Sequence, residues 1–417
     1  LILTYLQKKK LKIYRGLSEA VVTALSDIFV KEKQADKVVE QLLKSNKKWG
    51  ARDRAFIAEN VYEIVRWWRL VKYVAGIERA TEETELWTLF GCWQIIKPLR
   101  LGTHESNTLP EWEEFEAISA EHVLDLYAQA MQVRKIAQSI PDWLDEIGAR
   151  ELGDAWEGEL SALNNQAPLT LRINSIKSNK AEVCDIIGEE NVKLFSQIPD
   201  ALSLIKRKNV SGMDAYKKGF FEVQDAGSQL IAPYLDVQPG MSVIDACAGA
   251  GGKTLHLAAL MNNTGSILSM DIESRKLSEL KRRAFRNGVT NLETMVIDSD
   301  QIIEKLSETA DRLLLDVPCS GLGVLRRNPD SKWKLKPAFL ESIRNIQWRI
   351  LSNYSGMVRR GGKMVYATCS ILPSESEEQV KRFIKKNGST WKLLSEHRTS
   401  VAKEGYDGFY MALLERK

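Results

Sequence analysis

The stretch VIDACAGAGGKTLHLA, residues 243–258, decides the fold. A short apolar run ends on Asp245, small residues fill 246–252, and an apolar-periodic segment opens at Lys253. That order predicts a strand, a tight loop and a helix start. Gly249, Gly251 and Gly252 carry no side chains, so backbone N–H groups can approach a ligand closely there. A phosphate-binding loop needs glycine five residues before Gly252, where Cys247 stands. A dinucleotide fingerprint beginning at Gly249 needs glycine at 254, where Thr254 stands. What remains is a nucleoside that presents no phosphate to the loop.

The same grammar runs outward. From residue 225 on, apolar strands (MSVIDAC, GSILSMDI, LETMVID, RLLLDV, GGKMVYATCS) alternate with helices starting near Ala226, Lys253, Ser274, Asp300 and Pro337. This predicts an α/β domain over 225–417 with a parallel sheet covered on both faces. Ligands bind such sheets beyond the carboxyl ends of the strands. Residues 151–224 comprise a linker and a small α/β unit with strands at APLTLRIN, DALSLIKR and FFEVQ. Residues 1–150 are predicted all-helical, because Ile57, Val61, Ile64, Val65, Trp68 and Val71 recur at steps of three and four. Trp67 and Trp68 lie among basic residues that could meet RNA, but the stripe assigns Trp68 to the core.

Composition narrows the class. With 417 residues, 44% hydrophobic and 27% charged, the chain is of ordinary globular type. No apolar run approaches the roughly 18 residues of a membrane span, and LILTYLQKKKLKIYRG (1–16) orders its charge wrongly for a secretory leader. Five widely spaced cysteines fit a reducing compartment, so a cytoplasmic monomer is expected. Scattered histidines and the lack of C-x-x-C predict no metal. Residues 1–60 hold 13 Lys/Arg against 7 Asp/Glu, and 321–350 hold 7 against 2. Two basic stretches on a nearly balanced chain suit a phosphate-rich partner such as RNA.

Carboxylates stand at successive strand ends: Asp245, Asp271, Asp298 and Asp316. One such residue would ordinarily cap a helix. Four in register with the glycine loop suit S-adenosylmethionine, with Asp271 on the ribose hydroxyls and Asp298 on the adenine amino group. Cysteines share the rim: Cys319 after the fourth strand and Cys369 after the fifth. Methyltransferases acting on amino nitrogens of bases carry Asp/Asn-Pro-Pro-aromatic where this chain has Asp316-Val317-Pro318-Cys319. A cysteine suits carbon instead. Thiolate addition at C6 of cytosine turns the inert C5 into an enamine carbon able to take a methyl group. Either cysteine could serve as nucleophile on these grounds. Cys247 is assigned to small-residue packing in the loop, and Cys92 and Cys184 to structure.

Taken together, FFEVQDAGSQLIAPYL, DACAGAGGKT, SMDIE, VIDSD, DVPCSGLGVLRRNPDSKW, ATCSILPSESEEQV and DGFYMALLE resemble the RsmB-type branch of the Nop/Sun family of RNA (cytosine-5)-methyltransferases. The resemblance covers about 165–417 and implies a Rossmann-like methyltransferase domain, an RRM-like small unit and a NusB-like helical domain that binds RNA. It implies Cys369 as the nucleophile, Cys319 as the group acting on the C5 proton, and Asp316 on the N3/N4 edge beside the methyl donor. Cys247, Ala248, Gly249, Ala250, Gly251, Gly252, Lys253, Asp271, Asp298 and Asp316 would hold S-adenosylmethionine. Arg326, Arg327 and Lys332 would serve RNA. The family has Ala-Pro where Gly249-Ala250 stands here. Small-subunit ribosomal RNA is the expected substrate, with tRNA as the alternative, or a non-catalytic RNA-binding assembly factor on the same fold.

Overall fold

A computed structural model describes residues 13–102 and 108–417. Most of the stretch read against a leader, and the start of the first basic region, lie outside the described residues. The chain forms two compact units: Leu1–Ala149 with Arg327–Lys334, and Arg150–Arg326 with Leu335–Lys417. Among the described residues no helix is long and apolar enough to cross a membrane.

The first unit is helical, as its 3.6-residue periodicity requires. Helices Arg15–Phe29 and Ala51–Arg66 pack their apolar faces, with Leu25, Ile57 and Ile64, against Glu83–Leu101, whose middle from Leu89 to Gln94 is buried all round. Trp68 is buried and stacks on Phe29 at 3.6 Å between ring centroids. Trp67 is buried too; its Nε1 donates to Glu63 and the Arg100 guanidinium covers its ring. Neither ring is open to RNA.

A segment from far along the chain completes this unit. Asp330 accepts from the Ala35 N–H at 3.1 Å, and Trp333 Nε1 donates to the Val65 carbonyl at 2.7 Å. Residues 225–417 therefore do not form one continuous domain, because 327–334 pack with the helices.

The second unit holds two sheets. The smaller runs β1 (Leu169–Ile173), a helix, β2 (Val192–Leu194), β3 (Ala201–Leu204), a short helix, β4 (Phe221–Val223). Its order is β2-β3-β1-β4 and every pairing is antiparallel. That is the ferredoxin-like arrangement. β2 escaped the sequence reading because its three residues carry only one half-buried position.

The larger sheet has seven strands: β5 (Ser242–Asp245), β6 (Ser266–Asp271), β7 (Leu292–Val296), β8 (Ala310–Asp316), β9 (Val358–Thr368), β10 (Trp391–Arg398) and β11 (Tyr410–Arg416). Their order is β10-β11-β9-β8-β5-β6-β7. Strands β5 to β9 pair in parallel. Leu313 and Leu315 enter the core on one face and Leu314 on the other, so β8 is an unbroken apolar run. The expected all-parallel sheet is corrected at one edge: β11 and β10 add antiparallel strands beside β9. The chain order reverses between β5 and β8, and a crevice opens above such a switch point.

The two sheets are tied through buried charge. Glu222 on β4 accepts from Arg283 at 2.9 Å, from Asn287 at 2.5 Å and from Arg286, all on the helix Ser274–Asn287.

Candidate active site

The loop after β5 turns back under the sheet rim. Ala246 N–H bonds to Leu314 O and Ala248 N–H to Met270 O, so the loop extends the ladders to both neighbours. Gly249 (φ +53°) donates its N–H to Asp271 Oδ2 at 2.8 Å. Gly251 lies at φ +86°, where a Cβ would meet Leu280 Cδ1 at 1.9 Å. Leu280 is fully buried, so its side chain would have to repack within the core. Gly251→Ala is expected to cost about 3 kcal/mol through overpacking and a left-handed backbone, read as a lower midpoint in urea unfolding.

This loop floors a cleft of about 250 Å³. Asp271, Glu273 and Asp316 supply carboxylates, and Ile272, Ile297, Pro318, Ile346 and Ile350 supply apolar walls. Ile272 is 71% exposed, an apolar face at the rim suited to a flat base. The Lys276 ammonium is paired with Glu273 at 2.5 Å. Arg349 also lines the cleft, so three carboxylates face two cations there; the carboxylates can accept from hydroxyl and ammonium groups, and the residues fit S-adenosylmethionine. Cys247 also lines it. Burial, then Asp245, Asp316 and Asp271, push its thiol well above the ordinary range, so it stays protonated.

Two carboxylates expected at strand ends stand apart from the cleft, and one of them, Asp298, lies two residues beyond the end of β7. Asp245 is 1% exposed and accepts from the Thr254 hydroxyl at 2.7 Å, pinning the helix Gly252–Leu260. Burial pushes its carboxyl up to about 7. Asp298 is exposed and accepts from the Ser299 hydroxyl; the neighbouring Ile297 is the residue in the cleft wall.

Asp316 joins the cleft to the cysteines. Its Oδ2 accepts from Lys253 Nζ at 2.5 Å. Burial opposes the Lys253 charge, but Asp316 outweighs it, and with Cys369 holds the ammonium above its usual range. Pro318 lines the cleft, and the next residue, Cys319, places its Sγ 3.2 Å from Cys369 Sγ. The hydrogen bond to Cys369, then burial, then the charge of Glu375 push the Cys319 thiol well up. Cys319 is therefore the sulfur that its surroundings hold as a thiol.

The loops behind the cysteines are interlocked. Gly323 donates its N–H to Cys369 O at 2.9 Å, and a Cβ there would meet Gly408 O at 1.9 Å. Ser320 and Ser370, each one residue beyond a cysteine, both bond the buried Glu375. Sequence reasoning missed Glu375, which stands in the acidic run SESEE (374–378) with nothing local to set it apart from Glu377 and Glu378.

The expectation for the basic run needs correction. Arg326 is 5% exposed and paired with Asp407 at 2.5 Å, with Asp225 at 3.8 Å, so its charge is spent inside the second unit. Lys332 is 2% exposed within the helical unit, where burial and then Arg66 hold its ammonium well below the usual range. Neither can present charge to a phosphate. Arg327 is half-buried in the segment that packs with the helices.

Comparisons with known proteins place the sequence and the fold. The family described as 16S rRNA methyltransferase RsmB/F matches residues 232–415, and the RsmF/B-like ferredoxin-like domain matches 140–211. A Bacillus subtilis (strain 168) protein named "Probable ribosomal RNA small subunit methyltransferase B" is 32% identical over 307 residues, 68% of either chain. A Synechocystis protein of the same name is 38% identical over 251 residues, 59% of this chain. The match spans 56% of that relative's length. Among solved structures, PH0851 superimposes with a TM-score of 0.81 at 23% identity, covering 98% of this chain and 100% of the other. NSun6 from Pyrococcus horikoshii, solved with SFG, gives 0.61 at 21%, covering 67% and 99%. At these identities the structures show a shared fold.

Proposed function

This chain belongs to the RsmB/F family of 16S rRNA methyltransferases, and from that footing we propose that it methylates C5 of a cytosine in RNA. The observation that carries the reading is the pair of sulfurs 3.2 Å apart, beside the Lys253–Asp316 pair and the nucleoside-sized cleft. S-Adenosylmethionine, when bound, supplies an electrophilic methyl group. The names of the relatives point to small-subunit ribosomal RNA as the substrate.

The chain's own residues would divide the work as follows. Asp271 and the backbone of 247–252 hold the cofactor, and Ile272 and Ile297 flank its base. The target cytosine leaves its stack to reach the rim. Asp316 accepts from its N4 amino group, and the ion pair with Lys253 holds that carboxylate in place. The Cys369 sulfur adds to C6 and makes C5 nucleophilic. Cys319 lies beside the same ring. Once its own proton has passed to bulk solvent, the Cys319 thiolate takes the C5 hydrogen as a proton; the electron pair of that C–H bond forms the C5–C6 double bond, and Cys369 leaves C6 as a thiolate.

The test is transfer of a labelled methyl group to ribosomal RNA, followed by nucleoside digestion. Label is expected in 5-methylcytidine. Label on a cytidine amino nitrogen, or none in ribosomal or transfer RNA, contradicts the reading.

A further inference from the structure

Both cysteines sit on loops, yet catalysis requires their sulfurs to be held to a fraction of an ångström. The device that holds them is a single carboxylate. Glu375 is 0% exposed, and all its partners are neutral donors. Oε2 accepts from the Ser320 N–H at 2.8 Å and from Gln347 Nε2 at 3.0 Å. Oε1 accepts from the Ser320 hydroxyl at 2.5 Å and the Ser370 hydroxyl at 2.6 Å. Its carbonyl accepts from the Tyr366 hydroxyl at 2.7 Å, which fixes the turn to β9. Gln347, on the helix Pro337–Tyr354, also donates to Pro318 O, the residue before Cys319.

We propose that Glu375 is a positioning residue of the reaction, clamping the loops after Cys319 and Cys369 so that their sulfurs face one ring. A carboxylate is needed because only two acceptor oxygens can take four donors at once. An amide of the same shape keeps one acceptor and turns its own N–H groups toward donors. The choice of acid over amide also places a negative charge on the Cys319 side, since Ser320 makes two of the four contacts. A buried carboxylate without a cation is a costly way to brace a loop, and a purely structural tie between two hydroxyls would not require it.

The inference deepens the proposed function and rests on it for the kinetic arm, while a second arm needs no RNA. In the full chain, Glu375→Gln is expected to lower kcat for RNA methylation about 100-fold, the cost of a misplacement near 1 Å. KM for RNA and the affinity for S-adenosylmethionine should stay within about twofold, since the cleft is lined by other residues. The Ser320→Ala/Ser370→Ala double variant keeps Glu375 and should lose about tenfold in kcat with the same split.

The second arm is geometric. Diamide takes the two thiol hydrogens as a Cys319–Cys369 disulfide forms, and peptide mass spectrometry gives the rate. Glu375→Gln should slow that rate several-fold while the thermal midpoint of the cofactor-bound protein holds. Wild-type kcat together with wild-type disulfide rate in Glu375→Gln overturns the proposal. So does a loss of cofactor binding in proportion to kcat, which marks Glu375 as a support of the fold alone. A wild-type chain that methylates no RNA, yet shows the disulfide effect, refutes the proposed function and leaves the clamp standing.

Discussion

Cys369→Ala is expected to reduce methyl transfer on the order of 10⁴-fold or more, as removal of a covalent nucleophile does. Such a loss is about 5.5 kcal/mol of transition-state stabilisation. The reason is electronic. Without addition at C6, C5 of cytosine stays part of an aromatic ring and has no electron pair to offer. No other nucleophile can substitute. Cys319 is near enough, but its proton is held by the bond to Cys369, by burial and by the nearby Glu375 charge. Cys247 is a protonated thiol in the cofactor cleft. Cofactor affinity, measured by calorimetry, should not change, because Cys369 does not line the cleft. Retention of even one-tenth of the wild-type rate would remove Cys369 from the nucleophile's role.

Cys319→Ala is expected to fail at the opposite end of the cycle. Addition at C6 and methylation at C5 proceed, but the group placed to take the C5 hydrogen is gone. A proton-transfer residue contributes about 10² to 10⁴ in rate, so turnover should drop by that order while the methylated, covalently bound RNA accumulates. A denaturing gel should then show protein shifted by the mass of its RNA. The two variants thus differ in kind: one never bonds the RNA and the other cannot let it go. If Cys319 were the nucleophile, the phenotypes would exchange, with the trapped complex appearing in Cys369→Ala.

Much of this was legible because periodicity is a local property. The helices at Ser274, Asp300 and Pro337 begin where the sequence placed them, since each follows an apolar strand and a polar break. The rim position of Cys319 and Cys369 followed from counting strands. The departures share a cause, which is that burial of a polar side chain depends on distant partners. Lys332 stands in a basic run and reads as solvated, yet the run inserts among helices nearly 300 residues earlier in the chain. Arg326 finds Asp407 some 80 residues on. Asp245 ends its strand as Asp271 and Asp316 do, but points into the helix start, and Asp298 lies two residues beyond the end of β7, exposed to solvent. Strand β10 was missed because exposed positions break its alternation. Glu375 was invisible because its donors come from three separated segments.

The most direct measurement of the central claim is peptide mass spectrometry on Cys319→Ala after incubation with ribosomal RNA and S-adenosylmethionine. The account predicts a single modified peptide carrying a methylated cytidine on Cys369. A cytidine adduct on any other residue, or undiminished turnover with no adduct, would contradict it.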